Sequence, residues 1–423
     1  MNRRAVGNIA WRVLGSFYGK GVVFLATAYV SRLVGPEMYG RFSIVLSLYS
    51  VLAIVAGTQL SRAVATYAAQ EPHLRRAHYW HGLVLTAFCY VVTLMLFYAV
   101  VLVFHPFKDA LTARLSLMYM PFLWFFLYTE LIKGLHLGAG RVGALTVMEI
   151  VQGTLKAGVV VGLVYLLGYR GWIWGRTGGE VLATGVLVLM MLGSYRRYFA
   201  GQALRFSKAI TRRYASYYGW SFLSGGLGQL ELQLQPFLVL WFMNDNSEVA
   251  FIKIALLYLT SLSLFGQSVT TALYSSVARR HKDKKGLLRH LWRTQIYTGG
   301  GFALALAALW LVAPQLIMIL HGPAYTPVVP LFRLILIAAF FQHVNFINGG
   351  YWLAVGNVKL NTLASVIMST VFFSMSIPLC MKYQTLGLAY ATVASRIFNA
   401  VLSSWLSHRN IVPDSAPELG TVE

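Results

Sequence analysis

The sequence predicts an all-α integral membrane protein with about twelve transmembrane helices in two parallel-related six-helix bundles, both termini in the cytoplasm. Three observations predict it. First, 57% of the 423 residues are hydrophobic, only 11% are charged, and the mean hydropathy is +0.63. A soluble domain carries about 25% charged residues, so this chain is too poor in charge to cover a water-facing surface. A disordered chain would need low hydrophobicity. Second, the apolar residues fall in runs of about 20, the length that crosses a bilayer core. Third, 35 Lys and Arg stand against 13 Asp and Glu, a net charge of +22, and the basic residues gather in alternate loops.

Read in order, the apolar runs place spans at 9–33, 42–61, 80–104, 115–137, 145–168 and 171–193. Six more fall at 216–243, 249–277, 294–320, 328–355, 360–382 and 386–407. The segment Gly168–Gly171 must then be a tight turn between two helices. The even-numbered loops and the termini hold 23 of the 35 basic residues and the odd-numbered loops eight. The richest loops are Arg196, Arg197, Arg205, Lys208, Arg212 and Arg213, then Arg279, Arg280, Lys282, Lys284, Lys285, Arg289 and Arg293. This bias puts both termini in the cytoplasm and explains most of the positive charge without a nucleic-acid partner. The N-terminal stretch has basic residues, an apolar run and Ala26-Thr27-Ala28, but the hydrophobicity continues past Ala28. It reads as an uncleaved first span, not a signal peptide. Cys89 and Cys380 fall within spans and read as buried thiols.

Residues 125–190 align without gaps on 341–406 at an offset of 216. The alignment pairs Gly134 with Gly350, Gly140 with Gly356, Thr154 with Thr370 and Gly171 with Gly387. An offset of six spans keeps both halves in the same orientation, so the repeat axis lies along the membrane normal. Residues 1–200 then form the first bundle, 201–215 a basic cytoplasmic linker, and 216–423 the second bundle with a short polar tail.

No catalytic constellation is present: no His-Glu-x-x-His, no Gly-x-Ser-x-Gly and no Walker A. The Gly-x-Gly-x-x-Gly match at Gly138, Gly140 and Gly143 lies between two apolar helices with no strand before it, so it reads as a hairpin loop. The chain is therefore not expected to be an enzyme or to hold a cofactor or metal. Without nucleotide-binding motifs, any transport would run on an ion gradient, the membrane potential or the substrate gradient.

The informative residues are charges inside spans, each costing about 2.5–3.5 kcal/mol on insertion scales. The basic ones are Lys20, Lys156, Arg176 and Arg396, with Arg62 and Lys133 at span ends; the acidic ones are Glu130, Glu149, Glu180 and Glu231. Arg176 and Glu180 are four apart on one helix face and could neutralise each other, as could Glu130 and Lys133. Glu149 and Lys156 share a face but are two turns apart. Lys20 and Glu231 have no local partner, so theirs must come from another helix. Glu231 sits among Gln229, Gln233 and Gln235 before Pro236, either a proton or cation site or a helix–helix hydrogen-bond cluster. The repeat lays Glu180 on Arg396. A polar strip of Gln342, His343, Asn345, Asn348 and Tyr351, with Gln59 in the second span, could bind sugar hydroxyls or join helices.

The segment Ser31–Ala69, "SRLVGPEMYGRFSIVLSLYSVLAIVAGTQLSRAVATYAA", resembles the first hairpin of the polysaccharide transporter family. Gly-Asn-Val-Lys at 356–359 resembles the turn after that family's tenth span, and "TLGLAYATVASRI" at 385–397 the segment opening its twelfth. The resemblance implies two six-helix bundles around a central cavity with alternating access. It implies a flippase that moves an undecaprenyl-diphosphate-linked oligosaccharide (an O-antigen, capsule or exopolysaccharide repeat unit) to the outer leaflet of a bacterial inner membrane. Expected partners are that glycan, membrane lipids, and the polymerase and chain-length proteins of the pathway. Lys20, Arg62, Lys133, Lys156, Arg176 and Arg396 would attract the diphosphate, and Gln59, Asn345 and Asn348 the sugars. Glu231, Glu149 and Glu180 would couple transport to protons or sodium. Relatives often carry Asp where this chain has Glu231. A cation-coupled multidrug antiporter on the same architecture is the second expectation, although its cavity should be acidic and aromatic. A non-transporting scaffold of cell-envelope assembly is the third.

Overall fold

The computed structural model describes residues 3–104, 107, 109–199, 202, 206–278, 284–355 and 357–410. Among them there are helices and turns and no strand. Arg205, Arg279, Arg280, Lys282, Gly356 and the C-terminal tail, all named from the sequence, lie outside the described residues, as do the side chains of Arg3, Arg4, Arg12, Arg196, Arg197 and Lys284. The first helices are α1 (Arg3–Val55), α2 (Leu60–Gln70), α3 (Arg75–Phe104), α4 (Ala110–Tyr119), α5 (Leu123–Gly138), α6 (Val142–Leu167) and α7 (Tyr169–Phe199). Then come α8 (Lys208–Ser221), α9 (Leu227–Met243), α10 (Asn246–Ala278), α11 (Lys284–Leu311), α12 (Ala313–His321), α13 (Val328–Ala354) and α14 (Val358–Asn410).

Eight of the described helical stretches are long and apolar enough to cross a membrane, or nine if α11 and α12, bent by 69°, make one crossing. The sequence expectation of twelve exceeds this count for physical reasons. Helix α1 contains two expected spans meeting at Gly35 (φ 77°, ψ 168°), where Pro36 starts the second limb. Helix α14 likewise contains two, meeting at Gln384. The seventh expected span is divided by a π-helical turn at Phe222–Gly226. The outer surface is apolar where a soluble protein would be polar: on α3, Phe88, Met95, Leu102 and Phe104 are all more than 60% exposed. Such a stripe needs lipid against it.

The helices form two compact units, Met1–Phe237 with Asp245–Ala250, and Leu238–Asn244 with Phe251–Glu423. In the first, a core of Phe42, Tyr49, Tyr119 and Trp172 packs between α1, α4 and α7. Its aromatic rings stack: Phe42 on Trp172 at 4.1 Å and Tyr49 on Tyr119 at 4.5 Å. A second core joins α2, α3, α5 and α8 through Val64, Leu131 and Tyr214. Helix α8 is tied down by tyrosines. The Tyr214 hydroxyl donates to the His78 carbonyl at 3.1 Å, and that of Tyr218 to the Val55 carbonyl at 2.8 Å. Arg213 adds an ion pair to Glu71 at 2.8 Å, and Glu71 also meets His78 at 2.8 Å.

In the second unit, Leu287, Leu291, Ile347, Tyr351 and Trp352 form a core between α11 and α13. The internal repeat reappears here in backbone detail. The turn between α6 and α7 has Gly168 at φ 60°, ψ −142°, and the break in α14 has Gln384 at φ 56°, ψ −138°. These positions are 216 apart, the offset read from the sequence. A Cβ on Gly171 would lie 1.8 Å from the Leu163 carbonyl oxygen, and one on Gly387 2.0 Å from that of Leu379, again an equivalent pair. Each hairpin closes so tightly that only glycine fits.

Two outcomes follow. Gly171→Ala should lower the melting temperature of the detergent-solubilised protein, by an overpacking cost of about 1–3 kcal/mol, whereas Gly158→Ala, where a Cβ meets nothing within 4 Å, should not; equal melting curves would refute the tight-hairpin account. The hydrogen bond from Arg213 holds the Glu71 carboxyl below its ordinary 4.5, with His78 adding to the effect against partial burial. A depressed carboxylate stabilises the fold above its unfolded pKa and loses that contribution as pH falls through the folded value. Glu71→Gln should therefore melt below wild type at neutral pH, and the gap should close in acid below about 4.5. A gap that stays constant into acid would mean the ion pair does not anchor α8.

Candidate functional site: a charged cleft in the first unit

The sequence of α7, "WIWGRTGGE", sets the site. Gly175 lets α7 approach the backbone of α6 at Val160, where a Cβ would lie 2.7 Å from Cα, and Gly179 does the same at Lys156, at 3.2 Å. With the helices this close, Lys156 Nζ reaches across to Glu180 Oε2 at 2.5 Å. The neighbour on the same helix face, Arg176, does not take that carboxylate. The expected Arg176–Glu180 pair is thus replaced by an interhelical one, because the approach of α6 outcompetes a one-turn contact along α7. Lys156 also sits 5.7 Å from the Phe126 ring centre. Glu130 and Lys133 do pair along α5, at 2.8 Å.

Arg176 is left facing a small cleft of about 50 Å³ between α1, α6 and α7, lined by Val23, Thr27, Tyr39, Lys156 and Trp172 among others. Its buried Nε has no hydrogen-bond partner among the described residues. A space of this size holds a few waters or a small oxyanion group, not a sugar. Among the described residues of the first unit, Lys133 thus pairs with Glu130 and Lys156 with Glu180, while Arg176 pairs with neither.

The other expected residues of this unit lie on two further seams. Gly15 and Gly19 of α1 pack on α6; a Cβ on Gly19 would lie 2.9 Å from the Glu149 carbonyl oxygen, and one on Gly153 2.7 Å from that of Gly19. Exposed Lys20 and half-buried Glu149 flank this contact. Gln59 is buried at the break between α1 and α2 and accepts from the Ser221 hydroxyl at 3.3 Å. Arg62, one turn on, has Nη1 3.5 Å from where a Cβ on Gly225 would stand. Glu231 is fully buried in α9 beside fully buried Gln235, whose amide has no hydrogen-bond partner among the described residues.

In the second unit the polar strip forms a hydrogen-bond network. The Asn348 amide donates to the hydroxyls of Ser403 (2.9 Å) and Ser404 (3.3 Å). Its oxygen accepts from Gln295 (3.0 Å) and Ser407 (3.1 Å). All four hydrogen-bonding positions of the side chain are filled, so it joins α11, α13 and α14. Asn345 donates to the Arg396 carbonyl at 3.4 Å and accepts from Ser403 at 3.3 Å. His343 meets Thr298 at 2.9 Å, and Tyr351 meets both Thr294, at 3.0 Å, and His290. Arg396 is 2% exposed and donates from Nη1 to the Met368 sulfur at 2.7 Å.

Sequence reasoning missed Tyr39 and Trp172, since neither stands out among so many aromatics; the Gly-x-x-Gly-Gly spacing beside Arg176 was the available signal. Removing one member of a buried ion pair costs about 3–5 kcal/mol, while apolar replacement of both is often neutral. Glu180→Leu should therefore depress the melting temperature strongly, and Lys156→Met with Glu180→Leu should recover most of the loss. Additive losses in the double variant would refute the pairing.

The family model for polysaccharide biosynthesis proteins matches residues 5–281, more than half of the chain. No curated protein sequence matches it. Among solved structures, the lipid II flippase MurJ in an inward closed conformation is similar with a TM-score of 0.76 at 14% identity, over 93% of this chain and 86% of that one. An inward-facing multidrug resistance MATE family transporter of the MOP superfamily is similar with a TM-score of 0.73 at 13% identity, over 93% and 94%. The eukaryotic MATE transporter AtDTX14 is similar with a TM-score of 0.69 at 14% identity, over 97% and 99%. At these identities the likeness is one of fold, and it extends over nearly the whole chain. The resembling segment Ser31–Ala69 lies inside the matched stretch, whereas Asn345, Asn348, Arg396 and the motifs at 356–359 and 385–397 lie beyond it; with more than half of its length matched, the chain belongs to the polysaccharide biosynthesis protein family.

Proposed function

We propose that this protein is a flippase for an undecaprenyl-diphosphate-linked oligosaccharide, working by alternating access in a bacterial inner membrane. In this reading the chain crosses the membrane twelve times, with residues 1–200 and 216–423 as two bundles joined by the basic linker 201–215 and both termini in the cytoplasm. The observation that carries the reading is Arg176: a guanidinium inside an apolar bundle, with a buried N–H unpartnered among the described residues and with Glu180 already taken by Lys156. Uncompensated positive charge in such a medium favours an anion. The cleft beside it admits a phosphoryl oxygen but not a glycan, so the sugars must lie elsewhere. Membership of a polysaccharide biosynthesis family and a fold shared with a lipid II flippase support the same substrate class.

Lys20, Arg62, Lys133, Lys156 and Arg396 would share in holding the diphosphate, with Gln59, Asn345 and Asn348 offering polar contacts to sugars. Glu231, Glu149 and Glu180 would carry coupling to protons or sodium, and no bound cofactor is needed. The polymerase and chain-length proteins of the same pathway would act on the product. The second reading, a cation-coupled multidrug antiporter, draws on the fold shared with multidrug transporters; a carboxylate without a competing cation would suit it better than this site does. Deleting the gene should make a lipid-linked oligosaccharide accumulate on the cytoplasmic leaflet, and Arg176→Gln should fail to relieve it although the protein inserts and folds. Normal surface glycan together with sensitivity to cationic dyes would transfer the assignment to the antiporter, and neither phenotype would favour a scaffold.

A further inference from the structure

Helix α8 has two faces of different chemistry. Ile210 and Tyr214 are buried against α2 and α3. Lys208, Arg212, Ser216 and Trp220, spaced by four, lie exposed along the other side. With Tyr67 of α2 and Arg213 they line a cleft of about 790 Å³, all of it within the first unit. The groove is open, lined by one helix and a single facing tyrosine, so it suits a group lying along its surface and not one enclosed within it.

The cationic wall is partly preorganised. Arg213 is fixed by Glu71 at 2.8 Å and lies 4.7 Å from the centre of the Tyr67 ring. A guanidinium has five N–H donors, so one carboxylate leaves others for a ligand. Neither Lys208 nor Arg212 has an ion-pair partner among the described residues. Three cations against one carboxylate leave about two positive charges, which suits a diphosphate. The remaining walls are aromatic, and Trp220 is 65% exposed at one end of the cleft. Trp and Tyr with Lys and Arg mark the level where membrane meets water. Two linked phosphates carry more charge and more acceptor oxygens than a monophosphate headgroup, and so gain more from a groove that gathers Lys208, Arg212 and Arg213.

We propose that the cleft between α2 and α8 is a loading site that captures the diphosphate of the lipid-linked substrate at the membrane surface, before the substrate reaches the charged interior. This rests on the flippase reading. It gives the basic linker residues a task beyond setting orientation.

The test uses the full-length protein in nanodiscs of zwitterionic lipid, titrated with undecaprenyl diphosphate, undecaprenyl phosphate and phosphatidylglycerol. Wild type should bind the diphosphate at least tenfold more tightly than either other lipid. Lys208→Gln with Arg212→Gln should weaken diphosphate binding tenfold or more at an unchanged melting temperature, and Lys208→Arg with Arg212→Lys should restore it. With Arg176→Gln added to both proteins to weaken interior binding, diphosphate binding that survives in the glutamine variant overturns the loading site and leaves the flippase reading standing. An equal loss for phosphatidylglycerol also overturns it, because the cleft would then be a general anionic-lipid contact. Failure of the wild-type protein to bind undecaprenyl diphosphate at all overturns both.

Discussion

Lys156 and Glu180 can meet only because Gly175 and Gly179 carry no side chains. Their absence lets α7 lie against the α6 backbone, and the short distance lets two costly charges cancel. Much of the first unit depends on that contact. It holds Trp172 where Phe42 stacks on it, so α1 is packed against the same hairpin. It also withdraws Glu180 from Arg176 and leaves a cation beside the cleft between α1, α6 and α7.

The second unit copies the hairpin without copying its chemistry. At the offset of the repeat, Lys156 corresponds to Phe372 and Glu180 to Arg396. Helices there are joined by hydrogen bonds centred on Asn348, on Tyr351 and on the Thr298–His343 contact. Interhelical hydrogen bonds in membranes average about 0.6 kcal/mol each, so four on one asparagine specify register as much as they add stability. Under the proposed flippase reading, equal backbones with unequal side chains would suit two halves that divide the work of one transport cycle.

The all-helical membrane character was legible in the sequence because apolar run length is a direct consequence of the bilayer. The tight turn at Gly168 and the offset of 216 were legible for a related reason: close backbone approach admits only glycine at Gly171 and Gly387. The division of spans was less visible. The breaks at Gly35 and Gln384 interrupt a helix without interrupting its hydrophobicity, and the π-helical turn before α9 has no compositional mark beyond paired glycines. Lys156, Arg176 and Glu180 were legible as charges inside spans but not in their pairing. Spacing along one helix suggests Arg176 with Glu180, whereas the partner that wins comes from a helix whose approach distance is a tertiary fact. The same limit hid the groove on α8: Lys208, Arg212 and Arg213 read as orientation charges until Tyr67, remote in sequence, supplied the facing wall.

The two hairpin turns share a conformation but not a residue. Glycine adopts φ 60°, ψ −142° freely, whereas a side chain there costs about 1–3 kcal/mol unless the surroundings compel it. Gln384 is held in that conformation by the helices on either side, which Gly387 clamps together. The first unit's hairpin is therefore relaxed at its hinge, while the second carries a tensioned one. If the limbs of α14 part during a transport cycle, strain is released at Gln384 and offsets part of the packing that is lost. The same motion at Gly168 would have no such return, which makes the second hairpin the softer of the two.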